Sequence, residues 1–242
     1  MEIKALIDKY ELTGDVKGAI QNIKSGKVKL YSMSGKMGSG KDTIGSAIAK
    51  ELQHKYNVAQ TSFASALREE IDSIMTRVKN DDLLGIIAQD ENVRLSELRN
   101  LLGFLGFDSI YDRTAKSRRA IQYWGTDVRR RQNPNYWVNK VAQFVIDEAS
   151  KGNSVYVTDS RFPNEAQSII DLGGVVIRLD VPEEVRVDRI RYRDGNDPTP
   201  SQLYHSSETS LDEFEFEFRI DGCKTPEEIA YESLRYIERQ GE

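Results

Sequence analysis

The sequence contains one cysteine, Cys223, and two histidines in 242 residues. A lone thiol excludes a disulfide framework and points to a reducing compartment. His205 with Glu208 is too small a set for a metal site, and no serine–histidine–acid or cysteine–histidine arrangement stands out. No apolar run approaches the ~20 residues that a membrane span requires. The N-terminal Met1-Glu2-Ile3-Lys4 lacks the apolar core of a signal peptide. An excess of basic charge is missing too: 34 lysines and arginines face 39 acids, a net charge of −5. That balance argues against a general nucleic-acid binder, although local basic patches remain compatible with it. Repeats and low-complexity tracts are absent. What is left is a chain 38% apolar and 30% charged, typical of a soluble globular protein. Its length suits one α/β domain with an insertion, or two small domains. The expectation is a soluble cytoplasmic protein.

What is present is concentrated in residues 34–43, Ser-Gly-Lys-Met-Gly-Ser-Gly-Lys-Asp-Thr. They follow an apolar run from Val28 to Met33 and open a helix-like stretch from Ile44 to Leu52. Strand, glycine-rich turn and helix form the context of a phosphate-binding loop. Gly35, Gly38 and Gly40 leave room for backbone N–H groups to point at phosphate oxygens, with Ser39 between them. The helix start aims its positive end at the same spot. Lys41 then reaches the β- and γ-phosphates of ATP as a point charge. After Gly-Lys the usual pattern has Ser or Thr on Mg²⁺; here Asp42 comes first and Thr43 second. Asp42 is therefore the candidate for the metal or its waters, and Thr43 for a phosphate oxygen or the metal.

Elsewhere strands and helices alternate, which implies a parallel sheet wrapped on both faces. Residues 1–26 read as a helical prefix broken at Gly14, and the remaining 27–242 as the phosphate-loop domain. A strand is expected over Val58–Phe63 and a helix over Ala64–Val78. The stretch 80–113, interrupted by Asp81-Asp82 and Asp90-Glu91, reads as an insertion on the substrate side. Helical spacing returns from Arg118 to about Trp124 and from Pro134, placed in the first turn, to Ala149. Further strands fit Ser154–Asp159, Val175–Leu179 and Phe218–Asp221, and a last helix Pro226–Ile237.

Given a triphosphate donor, the open question is the acceptor. Asp159 ends an apolar strand, the position of a Mg²⁺-water ligand in phosphate-loop enzymes. Arg161, two residues on, sits where strand tops converge and suits a bidentate grip on phosphate. A surface pairing with Glu165 is the plainer alternative for Arg161. Lys116, Arg118, Arg119, Arg129, Arg130 and Arg131 form a basic run that, taken alone, reads as a solvated face. Gln122, Trp124 and Trp137 nearby offer amide and aromatic groups suited to a nucleobase, although Trp124 reads more readily as core. On a helix Arg186, Arg189 and Arg193 share one face, so residues 186–208 are a candidate lid. Arg189 and Arg193 are the candidates to neutralise charge as the phosphoryl group moves. Transfer to a phosphate needs positioning and positive charge rather than a general base, because the acceptor oxygen is already anionic.

These motifs together carry a family resemblance. The run Ser34–Thr43, the stretch Arg118 to Asp127, Tyr136-Trp137-Val138, Asp159-Ser160-Arg161…Glu165 and His205-Ser206-Ser207-Glu208…Leu211-Asp212 resemble the bacteriophage deoxynucleoside monophosphate kinases and their dephospho-coenzyme A kinase relatives. The resemblance covers about residues 28–240. It implies a P-loop nucleoside monophosphate kinase fold with core, substrate-binding and lid parts, acting on MgATP and a deoxynucleoside monophosphate. It also implies that Leu67 and Arg68 border the monophosphate site. Arg119, Gln122, Gly125, Thr126, Trp137, Asp159, Arg161 and Glu165 would hold the deoxynucleotide. The expected partners are small nucleotides, with neither stable nucleic-acid binding nor a membrane, and a homodimer is compatible with the sequence; a phage protein would work in the host cytoplasm. Two rivals stand beside this reading. One is a dephospho-coenzyme A kinase-like enzyme with a hydroxyl acceptor, for which Asp42 or Asp159 would be the base. The other is a DNA-associated P-loop NTPase using the Arg118–Arg131 patch.

Overall fold

The computed structural model describes residues 2–80, 83–106, 108–112 and 114–240. Asp81 and Asp82, expected to interrupt the apolar groups around them, lie outside that set. The chain divides into two compact units, Met1–Ser62 with Val141–Glu242, and Phe63–Lys140.

Among the described residues the first unit is built on five strands: β1 (Leu30–Ser34), β2 (Val58–Thr61), β3 (Ser154–Val157), β4 (Val175–Asp180) and β5 (Phe218–Asp221). They lie in the order β2-β3-β1-β4-β5 and every pairing is parallel. The central strands are buried on both faces, which is why they read as unbroken apolar runs rather than alternating ones. From β1 the chain crosses through α3 (Lys41–Leu52) to β2, and from β3 through α9 (Pro163–Asp171) to β4. These crossovers run in opposite directions along the sheet, so right-handed connection puts the two helices on opposite faces. This is an α/β fold, a parallel sheet wrapped by helices, with β1 at its centre delivering the glycine-rich loop.

On one face Tyr31, Met33, Tyr156, Ile177 and Ile220 pack beneath Ile44 and Ile48 of α3 and Ile229 and Ile237 of α13 (Pro226–Glu238). The N-terminal pair α1 (Ile3–Tyr10) and α2 (Val16–Lys24) buries Leu6, Tyr10, Ile20 and Ile23. It is tied down by polar contacts as well. Tyr10 Oη and Lys9 Nζ both donate to Asp171 Oδ2, at 2.6 and 2.7 Å. The Thr13 N–H donates to Gln143 in α8 (Tyr136–Ser150) at 2.9 Å.

The second unit is helical: α4 (Phe63–Lys79), α5 (Leu84–Asp90), α6 (Leu95–Leu105) and α7 (Ala115–Gln122), which continues as a π-helix over Tyr123–Arg130. Its core gathers Ile71, Ile74, Ile87, Leu98, Leu101, Trp124 and Val128. Four donors converge on buried Glu70: Trp124 Nε1 (2.8 Å), Arg129 Nε (2.5 Å), Tyr136 Oη (2.7 Å) and Lys140 Nζ (2.7 Å).

Several element ends differ from the sequence expectation. Pro134 lies two residues before α8, in the preceding turn, and Phe63 opens α4 instead of closing β2. Arg129, read within a solvated run, is 2% exposed. Its charge is met by Glu70 and by Glu91 Oε2 at 2.6 Å. Nothing local to residues 116–131 announces partners so far away along the chain.

Candidate active site

The turn from β1 into α3 sets out the site. Gly38 and Gly40 hold φ of +81° and +88°, a region closed to most side chains. A Cβ on Gly38 would stand 2.7 Å from the Arg186 carbonyl oxygen, so only glycine lets α10 (Glu183–Asp194) sit against the loop. Gly40 provides the N-cap of α3 without a side-chain capping bond. The first N–H groups of that helix therefore keep their capacity for an anion. Asp42 and Thr43 are exposed on its first turn, and Ser39 Oγ is buried without a hydrogen-bond partner.

Lys41 is 5% exposed, and its Nζ lies 3.9 Å from Asp159 Oδ1, just beyond the end of β3. The other Asp159 oxygen accepts from Arg161 Nε. Arg161 Nη1 in turn donates to Glu208 Oε1 at 2.5 Å. Burial opposes the Arg161 charge, yet the Asp159 and Glu208 carboxylates outweigh it and raise its pKa above the ordinary arginine range. Glu165 is 2% exposed, and its Oε2 accepts from the N–H groups of Arg161 (2.9 Å) and Phe162 (3.2 Å). That fixes the turn carrying Arg161 by capping the start of α9.

Helix α10 grips the loop by its carbonyls. Arg186 Nη1 donates to Met37 O at 3.2 Å, and Arg189 Nη1 to Ser39 O at 3.1 Å. Arg189 Nη2 reaches Gly222 O at 3.0 Å. Arg193 forks onto its neighbour Asp194, with both contacts at 2.7 Å. Two one-turn helices, α11 (Pro200–Leu203) and α12 (Ser206–Thr209), follow α10 before β5.

The site residues expected from sequence thus fall into two sets. Gly35, Gly38, Ser39, Gly40, Lys41, Asp42, Thr43, Asp159, Arg161, Glu165, Arg189 and Arg193 belong to the sheet unit. Within that set Lys41, Asp159 and Arg161 meet directly, and Arg189 touches the loop backbone. Leu67, Arg68, Arg119, Gln122, Gly125, Thr126 and Trp137 belong to the helical unit. There a Cβ on Gly125 would stand 2.8 Å from Leu67 Cδ2, and Trp137 Nε1 donates to Gly125 O at 3.1 Å. The Trp137 ring is 2% exposed and Trp124 is fully buried. Arg119 lies exposed with its guanidinium 4.3 Å from the Phe104 ring centre, and Gln122 and Thr126 are exposed. Arg68 Nη1 lies 3.5 Å from Ala64 O.

Sequence reasoning missed the part Glu208 plays. Its second oxygen, Oε2, accepts from the Met37 N–H inside the loop at 2.6 Å. The signal was the His-Ser-Ser-Glu segment, read as an inadequate metal set and as part of the family resemblance, with no role for Glu208 itself. Lys36 was missed likewise; its Nζ donates to Asp212 Oδ2 at 2.7 Å.

The donor set suits magnesium. Asp159 Oδ1 is buried and accepts no hydrogen bond among the described residues, with Lys41 Nζ 3.9 Å away, an acceptor left for a cation or its water. No cluster of three or more His, Cys, Asp or Glu exists among the described residues. Asp42, Thr43 and Asp159 are the residues that would hold the ion, with waters and substrate phosphates completing its oxygen shell.

No protein-family model matches the chain, and no curated protein does. Among solved structures it is similar to a gluconokinase from Sinorhizobium meliloti, at 18% identity and TM-score 0.44 over 88% of this chain and 92% of that one. It is similar to a sugar kinase from a Janibacter species, at 18% identity and TM-score 0.47 over 88% and 96%. A shikimate kinase from Acinetobacter baumannii, solved with shikimate, gives 15% identity and TM-score 0.39 over 90% and 96%. No described helix is long and apolar enough to cross a membrane.

Proposed function

We propose that the protein transfers the γ-phosphoryl group of ATP to a deoxynucleoside 5′-monophosphate, giving ADP and the diphosphate. The observation that carries this is the meeting of Lys41 and Arg161 at one carboxylate, Asp159, beside the uncapped start of α3. The loop N–H groups and Lys41 hold the donor's phosphates, and bound magnesium neutralises charge on their oxygens. Arg161 presents a fixed cation to the acceptor phosphate, kept in place by Asp159 and by the turn that Glu165 caps. A phosphate acceptor is already anionic, so opposing positive charge and alignment suffice. Of the two candidate bases for a hydroxyl acceptor, Asp42 and Asp159, the second already gives one oxygen to Arg161, which weighs toward the phosphate acceptor. The base-recognition roles implied for Arg119, Gln122 and Thr126 go with this proposal.

The test is direct. Each dNMP and NMP, and dephospho-coenzyme A, is incubated with MgATP and the products are resolved by chromatography. Diphosphate and ADP should form from one or more dNMPs. Turnover of dephospho-coenzyme A alone, or of nothing while ATP is still bound, would overturn the proposal.

A further inference from the structure

We propose that Glu208 is an internal anion that occupies the nucleotide loop and must be displaced when a polyphosphate binds. The inference rests on reading residues 35–43 as a triphosphate seat. Glu208 is 8% exposed, and both its oxygens are used: one accepts from the Met37 N–H at 2.6 Å, the other from Arg161 Nη1 at 2.5 Å. A loop N–H and an arginine are the two kinds of donor that a phosphate group takes. A carboxylate satisfies both while no phosphate is present, and it leaves neither donor buried and unpaired. A phosphate oxygen arriving at the same donors meets a like charge in a poorly hydrated place, so the two anions exclude one another.

The geometry says which partner yields. On its other side the loop is fixed: Arg186 holds Met37 O, Arg189 holds Ser39 O, and Gly38 is in close approach to the backbone of α10. Glu208 rides on α12, four residues long, joined to the four-residue α11 by a short turn. Helices of one turn have little hydrogen bonding of their own to resist displacement. Movement of α12 also takes one of the two carboxylates off Arg161 and leaves that part of the guanidinium for an external anion. Binding is therefore weakened by the fraction of molecules in which Glu208 is seated: if about nine in ten are closed, apparent affinity falls about tenfold.

The experiment titrates sodium tripolyphosphate, and separately MgATP, into wild type, Glu208→Gln, Glu208→Ala and Glu213→Gln by calorimetry. Glu213 is an exposed acid of the same segment and controls for net charge. Thermal melts confirm that each variant is folded. Both Glu208 variants should bind tripolyphosphate about five- to tenfold tighter than wild type, with Glu213→Gln unchanged. Unchanged or weaker binding in both Glu208 variants, or equal tightening in all three variants, overturns the proposal while leaving the loop's identity intact. Absence of binding in every protein overturns the loop reading along with it.

Discussion

At the scale of single residues, the candidate site is an arrangement of charges that offset one another until a substrate enters. Lys41 and Arg161 share Asp159, and Arg161 also carries Glu208. Because each cation is held by a carboxylate, its position is set before any phosphate arrives, and preorganisation of that kind is what phosphoryl transfer demands. Lys41→Ala and Arg161→Ala should each lower kcat/KM by roughly thirtyfold or more, about 2 kcal/mol of transition-state stabilisation. In a coupled ADP-release assay the lysine variant should show its defect in the KM for ATP as well as in kcat. The arginine variant should show it toward the acceptor. Wild-type rates in Arg161→Ala would remove Arg161 from the site.

At the scale of elements, the loop and the strands were legible because their determinants are local. Glycines at fixed offsets before a lysine, after five buried residues of β1, leave little choice of structure. The helical unit was much less so. Its central carboxylate, Glu70, bonds to Trp124, Arg129, Tyr136 and Lys140, all more than fifty residues away. Buried charges break the apolar periodicity that would otherwise mark a core face. The π-helix over Tyr123–Arg130 has no signature in spacing either; within it Gly125 lies close against Leu67 and accepts from Trp137 Nε1, contacts that spacing does not announce. Glu208 was opaque for the same reason, its loop partner lying 171 residues upstream. Helix α3 supplies a test of packing at this scale. Gly45 lies inside it, where alanine would ordinarily add about 0.5–1 kcal/mol of helix stability. A Cβ there would stand 1.6 Å from Tyr156 Oη and 3.1 Å from Met33, both in the sheet core. Gly45→Ala should therefore destabilise by about 1–3 kcal/mol in urea unfolding. A stabilised variant would show that α3 can lift from β1 and β3 at little cost.

At the scale of the whole molecule, carboxylates in both units link stability to pH, Glu70 and Asp171 among them. Burial pushes Glu70 upward, but Arg129, Lys140 and the Tyr136 hydroxyl bring it below the ordinary 4.5. Asp171 in the sheet unit is likewise opposed by burial and brought below 3.8 by Lys9, Tyr10 and Gln167. A carboxyl group that holds its proton less tightly when folded adds stability above its unfolded pKa. That stability drains away as pH falls through the folded value, because the unfolded chain then binds more protons. Both contributions should thus be whole near neutrality and drain away as pH falls through and below the ordinary carboxylate range. Glu70→Gln takes from buried Arg129 one of its two carboxylate partners, leaving Glu91, and should cost about 3 kcal/mol at pH 7. Asp171→Asn, at the partly exposed anchor of α1, should cost less. The discriminating measurement is the slope rather than the level. Urea midpoints of wild type should fall more steeply on acidification than those of either variant, because each variant has already lost the group that titrates. If Glu70→Gln fell as steeply as wild type through that range, the acid sensitivity would belong to other carboxylates, and the Glu70 cluster would be a device of packing rather than of charge.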